Sequence, residues 1–296
     1  MLLEANASVI SRDKLEFSAL QLAAENGHSS VARLLLQAGS EPEQTRHNGW
    51  TPLMTASYNG CTECVRELAA GRADVNRAKQ TGFSPLIAAV YNGFTSTAKL
   101  LLELGAQPNQ QMGQKGWTPL MVCASQGHDK TAAVLIEKRA SVSGFAAQNG
   151  LSALMLGSAA GHERIVSVLL QSRAHIDRLD NQGCSALMHA ARHGHHRVSA
   201  TLLAAGAAVN KRHSNGKQPL HEAAAHGDVA RTVERTPGRT PLVSDGKRAL
   251  DCSYCHVCTL ARSPACQGTR ASWRCSWKAA PRSTLVRPAA GWAPVA

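Results

Sequence analysis

A leucine recurs along this chain every 33 or 34 residues, and a glycine follows each of these leucines by seven positions. The leucines are Leu20, Leu53, Leu86, Leu120, Leu154, Leu187 and Leu220, and the glycines are Gly27, Gly60, Gly93, Gly127, Gly161, Gly194 and Gly227. Two residue types that share one period indicate a repeat array, in which each unit buries its apolar face against its neighbours. The pattern therefore predicts a long surface rather than an enclosed cleft, which favours binding over catalysis.

Each period predicts two short helices followed by a hairpin loop. A hydroxyl residue that can cap a helix stands two positions before each of the first six leucines, at Ser18, Thr51, Ser84, Thr118, Ser152 and Ser185. The glycine ends this first helix, and a second helix follows with apolar residues at helical spacing, such as Val31, Leu34 and Leu35. An extended stretch such as 73–76 then leads to the hairpin turn at Gly82.

The residue that ends the second helix is predicted to adopt a left-handed backbone conformation. Glycine occupies this position in three repeats, at Gly39, Gly105 and Gly206. Arginine occupies it in three others, at Arg72, Arg139 and Arg173. Because a side chain disfavours this conformation, we expect backbone strain at the arginines.

The segments Gly49-Trp50-Thr51-Pro52-Leu53 and Gly116-Trp117-Thr118-Pro119-Leu120 resemble the helix-start motif of the ankyrin repeat family, and Gly161-His162 resembles its turn. The resemblance covers residues 1 to 228 and implies an all-α solenoid of paired antiparallel helices with hairpin loops. Residues 1–13 are interpreted as the end of a truncated repeat. Residues 14–228 are interpreted as six full repeats plus the first helix of a seventh, and residues 229–296 as a disordered tail.

One repeat position departs from the family's motif. The histidine usual after the motif leucine occurs only at His221, and the other repeats have Met54, Ile87, Met121, Met155 and Met188 there. Methionine is a flexible side chain that fills irregular gaps between packed units. These residues are therefore predicted to be core residues rather than ligand-binding ones.

The last 68 residues, 229–296, carry eleven Lys or Arg and three Asp or Glu, which contribute +8 of the chain's formal charge of +12. Their lack of periodic apolar positions, together with this charge, predicts disorder. The tail contains a run of cysteines beside His256, at Cys252, Cys255, Cys258, Cys266 and Cys275. A structural zinc site usually needs two separated ligand pairs, so reduced thiols without a metal are favoured here.

The remaining clusters of reactive residue types favour structural roles, so no catalytic residue, metal site or cofactor is predicted. Cys64, of the Cys61-x-x-Cys64 pair, takes the place of a buried aliphatic residue in a second helix. His221 and His226 lie five residues apart, so they point in different directions around a helix and cannot share a metal. His189, His193, His195 and His196 offer a chelating set, but His195 occupies the turn position of His28, His128 and His162. A structural hydrogen bond is the favoured role for it.

The resemblance also implies which positions face the family's concave groove: the residue after the hairpin glycine and the two residues before the turn glycine. The candidate partner-binding residues among them are Trp50, Tyr58, Asn59, Phe83, Tyr91, Asn92, Trp117, Gln126, Arg192, His193 and Lys217. Exposed aromatic residues are typical of interaction hot spots. An alternative interpretation is that Trp50, Phe83 and Trp117 only seal one hairpin against the next.

These observations predict a non-enzymatic module that binds an extended or loop segment of a protein. The candidate groove changes from aromatic to basic, because residues 164–217 hold eight Lys or Arg and two Asp or Glu, so an acidic or phosphorylated partner is favoured. Nucleic acid is disfavoured, because the aromatic and basic residues are segregated. The chain has no apolar stretch of about 20 residues to span a membrane. A cytoplasmic location is expected, with a nuclear one as the alternative.

A second functional hypothesis comes from the start of the chain. Residues 2–7 align with 101–106, which end a second helix, so the sequence is interpreted as beginning inside a repeat. In that case the array would be the targeting or regulatory portion of a larger multidomain enzyme or channel. An upstream catalytic or membrane domain would distinguish this hypothesis from an independent binding module. The oligomeric state is not predicted.

Overall fold

The computed structural model describes residues 8–9, 11–13, 17–46 and 48–225. Within these ranges the chain forms thirteen helices and no named strand. The helices are α1 (Ala19–Glu25), α2 (Ser29–Gln37), α3 (Pro52–Tyr58), α4 (Thr62–Ala70), α5 (Pro85–Tyr91), α6 (Thr95–Glu103), α7 (Pro119–Gln126), α8 (Asp129–Glu137), α9 (Ala153–Ala160), α10 (Glu163–Gln171), α11 (Ala186–Arg192), α12 (His196–Ala204) and α13 (Pro219–Ala225). The predicted tail, 229–296, and most of the predicted truncated repeat, 1–13, lie outside the described residues.

The predicted hydroxyl caps begin the first helix of each repeat. The side-chain oxygen of every such residue accepts a hydrogen bond from the backbone N–H three residues later, at Ser18, Thr51, Ser84, Thr118, Ser152 and Ser185. Proline at the first helical position of α3, α5 and α7 presets the backbone and sacrifices no helical hydrogen bond. The predicted helix starts are confirmed.

The repeats stack through two separate helix layers. Odd-numbered helices pack against the next odd-numbered helix, and even-numbered helices pack against the next even-numbered one. The periodic leucines from Leu20 to Leu187 are at most 2% exposed, and the methionines of the adjoining position are at most 1% exposed. Leu220 is 52% exposed, since no described repeat follows α13. The predicted core positions of the first six repeats are confirmed.

Histidines at the turns bridge successive repeats. The Nε2 atoms of His128, His162 and His195 donate to carbonyl oxygens of the preceding repeat over 3.1, 3.3 and 3.0 Å. Each ring lies against the turn glycine of the preceding repeat, so a Cβ at Gly93 would stand 2.6 Å from Nδ1 of His128. These contacts confirm the predicted structural role of His195 and explain why a glycine recurs at the turn.

A second polar ladder links the hairpins. A side-chain oxygen in one hairpin accepts a hydrogen bond from a backbone N–H in the next repeat. The acceptors Glu43, Asn76, Asn109 and Asp177 are paired with the N–H groups of Asp74, Gln107, Ser141 and Ala208, respectively. These four bonds are 2.7 to 2.8 Å long. They satisfy backbone donors that a short hairpin would otherwise leave unpaired.

Both arginine and glycine adopt the predicted left-handed conformation at the ends of the second helices. Arg72, Arg139 and Arg173 have φ of 68°, 64° and 62°, and within the described residues they are the non-glycine residues with positive φ. Gly39, Gly105 and Gly206 have φ near 90° at the equivalent positions. Around Gly105 there is no atom within 4 Å of where a Cβ would stand. A substitution at Gly105 therefore changes backbone strain without creating a clash.

Replacing Arg72 with glycine is expected to stabilise the array. Relief of the left-handed strain is worth about 1 kcal/mol, and the greater freedom of glycine in the unfolded chain offsets part of it, for a net gain of about 0.5 kcal/mol. The denaturant midpoint of Arg72→Gly, followed by circular dichroism, should rise. The matched control Gly105→Ala should lower the midpoint. A lower midpoint for Arg72→Gly would show that contacts of the arginine side chain outweigh the strain.

Candidate functional site

Four aromatic residues form a surface on two adjacent repeats, here called the aromatic ledge: Trp50, Tyr58, Phe83 and Tyr91. The rings of Trp50 and Tyr58 meet edge to face, with centroids 5.3 Å apart and planes at 85°. The rings of Trp50 and Phe83 lie 5.5 Å apart at 41°. Tyr58 and Tyr91 end the first helices of their repeats and remain 38% and 44% exposed. The ledge therefore presents two exposed tyrosine rings, and Tyr58 is supported by Trp50, which in turn packs on Phe83.

A pocket of about 360 Å³ opens beside Trp50 and Tyr58. It is lined by Glu25, Arg46, Asn48, Trp50, Thr55, Tyr58 and Asn59. Two of its lining residues are held in place, because Nη2 of Arg46 lies 2.9 Å from the Glu25 carboxylate and the guanidinium stacks 3.5 Å from the ring centroid of Phe17. The pocket can accept a side chain whose apolar part contacts Trp50 and whose polar end reaches the amide and charged groups of the lining.

Both interpretations of the hairpin aromatics describe part of the structure. Trp50 and Phe83 touch across two successive hairpins, as the sealing interpretation predicts. Trp117 is half-buried against the core, and its buried indole N–H has no hydrogen-bond partner among the described residues. Tyr58 and Tyr91 do not fit the sealing interpretation, because they remain exposed. They are the strongest candidates for partner contact.

The two asparagines beside the tyrosines connect repeats. Nδ2 of Asn59 donates to the carbonyl oxygen of Glu25 over 2.8 Å, and Nδ2 of Asn92 donates to that of Tyr58 over 2.7 Å. Gln126, at the equivalent position of the next repeat, ends α7 and is exposed. Asn59 and Asn92 therefore have a structural role besides the predicted partner contact.

In the basic part of the candidate groove, Arg192 and Lys217 share one carboxylate. Nε of Arg192 lies 3.1 Å from Glu222 Oε2, and Nζ of Lys217 lies 3.8 Å from Oε1. The Glu222 side chain is only 5% exposed, and the hydrogen bond from Arg192 lowers the pKa of its carboxyl. Arg192 is therefore an ion-paired residue rather than a free rim charge. His193 is exposed, and its ring stacks on that of His195 at 6.2 Å.

A group of three residues that was not predicted from the sequence, here called the Asp–Cys–His cluster, consists of Asp180, Cys184 and His189. Nε2 of His189 donates to Oδ2 of Asp180 over 2.9 Å. Oδ1 of Asp180 accepts from the backbone N–H groups of Gln182 and Cys184 over 2.9 and 2.8 Å. The signal in the sequence is the spacing of three donor types, D-x3-C-x4-H, across a hairpin and the helix that follows.

The other cysteine motif in the repeats is structural. Cys64 is fully buried in α4. Burial is the main cause that raises the pKa of its thiol to about 12, and the hydrogen bond with Cys61 is the second. The predicted core role of Cys64 is confirmed. His226 and the cysteine run from Cys252 to Cys275 lie outside the described residues.

The Arg192–Glu222 pair predicts a specific acid sensitivity. The pKa of Glu222 is lower in the folded protein than in the unfolded chain, so its ionised carboxylate stabilises the fold. This stabilisation is complete above the usual carboxyl pKa, and it is lost as the pH falls to the pKa of the folded state. In Arg192→Gln the carboxyl loses the main cause of this shift, so the fall in stability below about pH 5 should be shallower. Denaturant midpoints between pH 7 and pH 3 measure the effect. The control is Arg164→Gln, at an exposed arginine of α10; parallel profiles for wild type and Arg192→Gln would contradict the prediction.

No described helix has both the length and the apolar character needed to cross a membrane. Among curated proteins no match to the chain was found. The crystal structure of the human ASB11 ankyrin repeat domain is similar, with a TM-score of 0.66 and 23% sequence identity over 79% of this chain and 100% of that chain. The family model for ankyrin repeats (3 copies) matches residues 20–112, 108–180 and 175–234. With the family's motif along most of its length and the stacked helix pairs that the motif specifies, this chain belongs to the ankyrin repeat family.

Proposed function

We propose that this chain is a non-enzymatic module that binds an extended segment of a partner protein on the face formed by its hairpins and first helices. Ankyrin repeats are generally protein-interaction modules, which supports the broad role. The observation that carries the finer proposal is the aromatic ledge. It repeats one element, an exposed tyrosine at the end of a first helix, in two adjacent repeats.

The spacing of the two tyrosines suits an extended partner. Helices that pack directly, as α3 and α5 do, lie about 8–10 Å apart. An extended segment in the polyproline II conformation advances about 3.1 Å per residue with three residues per turn, so side chains three residues apart lie on one face, about 9 Å from each other. The proposed partner segment therefore places apolar or aromatic side chains three residues apart, one against Tyr58 and the pocket beside it, and one against Tyr91.

The charge of the later repeats supports an acidic continuation of the same segment. Lys217 keeps 49% of its side chain exposed, and Arg212, in the same hairpin, is exposed. A partner whose apolar residues are followed by carboxylates or phosphates would complement this order. Arg192 contributes less to such attraction, because Glu222 already neutralises it.

The partner can be identified by proximity labelling with the full chain, in parallel with the double variant Tyr58→Ala/Tyr91→Ala. A protein labelled by the wild type and lost with the double variant is the expected result. Leu34→Ala is the matched control, because Leu34 is 51% exposed on α2, a second helix outside the proposed face. A partner that is retained by the double variant and lost by the control would contradict the proposed face.

Tyr58→Ala and Tyr91→Ala are each expected to weaken binding to that partner by about 1–2 kcal/mol, because truncating an anchor leaves its contact unfilled. The loss should appear as faster dissociation in surface plasmon resonance. Circular dichroism should show an unchanged helical content, since both side chains are exposed. If the variants unfold instead, the tyrosines are packing residues and the ledge is not a binding site.

Lys217→Gln is expected to change mainly the rate at which the partner associates. Removing an exposed charge should slow association and flatten its salt dependence, with a smaller change in dissociation. Lys217 is preferable to Arg192 here, because Arg192→Glu would place a second carboxylate beside the buried Glu222. Lys99→Gln, at an exposed lysine of α6, is the control. Equal salt dependence in Lys217→Gln and wild type would show that the basic part does not steer the partner.

A further inference from the structure

The Asp–Cys–His cluster places three different metal-ligand side chains together. One donor atom from each of Asp180, Cys184 and His189 lies within 4.8 Å of the other two. The side chains of Asp180 and His189 are 4% and 11% exposed, and Cys184 is fully buried. Buried donors this close are already desolvated and restrained by their surroundings. A metal that bound them would therefore meet a nearly formed site.

The local fold holds the donors in place for one ligand. The backbone N–H groups of Gln182 and Cys184 occupy Oδ1 of Asp180, which directs Oδ2 towards His189. Cys184 follows the hairpin turn, and His189 lies on α11, one turn from its start. All three donors therefore come from one hairpin and the helix that it leads into.

The donor set suits zinc. Zn²⁺ binds thiolate, imidazole and carboxylate in a tetrahedral arrangement, at about 2.3 Å for sulfur and 2.0–2.2 Å for nitrogen and oxygen. These bond lengths put neighbouring donors about 3.3–3.6 Å apart. The 2.9 Å contact between His189 and Asp180 must open slightly, and the cluster, now within 4.8 Å, must contract around the ion.

The charges around the cluster also close. Nη2 of Arg192 lies 3.3 Å from the Cys184 sulfur, and its Nε is paired with Glu222. A doubly charged zinc ion is neutralised by the Asp180 carboxylate and the Cys184 thiolate, and the guanidinium remains balanced by Glu222. The same guanidinium can donate a hydrogen bond to the thiolate, as second-layer donors commonly do at metal sites. Lys217, the other nearby cation, also faces Glu222 and leaves one positive charge over, which its 49% exposed side chain places in contact with solvent.

We propose that Asp180, Cys184 and His189 bind one zinc ion, with a fourth position left for water or a donor from a partner. This site goes beyond the protein-binding function and does not depend on it. On binding, the Cys184 thiol releases its proton to solvent. His189 moves its proton from Nε2 to Nδ1, so that Nε2 becomes the ligand. Binding should therefore release one proton per ion and weaken as the pH falls.

The test uses Co²⁺, whose thiolate charge-transfer absorption in the near ultraviolet reports a metal–sulfur bond. The protein is the full chain with its five tail cysteines, Cys252, Cys255, Cys258, Cys266 and Cys275, changed to serine, here called the tail-serine chain. One equivalent of Co²⁺ should produce the absorption, and one equivalent of Zn²⁺ should abolish it. Cys184→Ala in this background should remove it. Cys123→Ala, at a buried cysteine of α7, should leave it unchanged.

Two further variants separate ligation from folding. Asp180→Asn keeps an oxygen for the hairpin hydrogen bonds, and His189→Gln keeps a polar side chain on α11. Each should weaken zinc affinity at least about tenfold, with helical content retained in circular dichroism. His193→Ala, at the exposed neighbouring histidine, should not weaken it. Zinc should also raise the thermal midpoint of the tail-serine chain, and Cys184→Ala should abolish this rise.

Three outcomes would overturn the site. The first is no cobalt–thiolate absorption with a stoichiometric addition of metal. The second is absorption that survives Cys184→Ala. The third is an adventitious ion only, shown by zinc binding that depends on His193 and is indifferent to Asp180→Asn and His189→Gln.

Discussion

The whole array depends on one constraint: its first helices are too short to be stable alone. In the six complete described pairs these helices have seven or eight residues, well below the length at which an isolated helix persists in water. They exist because each is buried between the corresponding helices of its neighbours, through leucines such as Leu53 and Leu86 and through small residues such as Ala56 and Ala89. Stability is therefore a property of adjacent repeats rather than of any one repeat.

This constraint decides where the chain is free to vary for function. The buried faces are committed to stacking, and the turn histidines and hairpin oxygens are committed to hydrogen bonds between repeats. The side chains that remain available include those at the hairpins, at the ends of the first helices and on the exposed side of the second helices. In two adjacent repeats these ends carry Tyr58 and Tyr91, each beside an asparagine that clamps the preceding repeat. A rigid support under an exposed aromatic residue lowers the entropic cost of using it as an anchor.

The sequence predicted the elements well, because the features that form them repeat. The hydroxyl caps, the turn glycines and even the left-handed arginines follow from position within the period. Contacts that depend on how a particular side chain crosses between repeats could not be predicted. Arg192 pairs with Glu222, 30 residues later, because the two side chains meet where α11 packs against α13.

The Asp–Cys–His cluster was missed for a related reason. Asp180 and Cys184 occupy ordinary hairpin positions, and His189 lies one residue beyond the usual motif histidine position. The repeat period predicts which residues belong to one repeat. It does not predict the side-chain rotamers that bring the imidazole of His189 to the carboxylate of Asp180. The sequence grouped His189 with His193, His195 and His196, but in the structure a carbonyl occupies the ring nitrogen of His195, and His189 pairs with Asp180 instead.

The central claim is that partner contact lies on the hairpin and first-helix face, and photocrosslinking tests it most directly. A benzophenone amino acid is placed in the full chain instead of Tyr58, and in a second protein instead of Leu34, which is 51% exposed on the second helix α2. The partner is expected to crosslink efficiently from position 58 and not from position 34. Crosslinking from position 34 alone would place the partner on the second helices and contradict the proposed face.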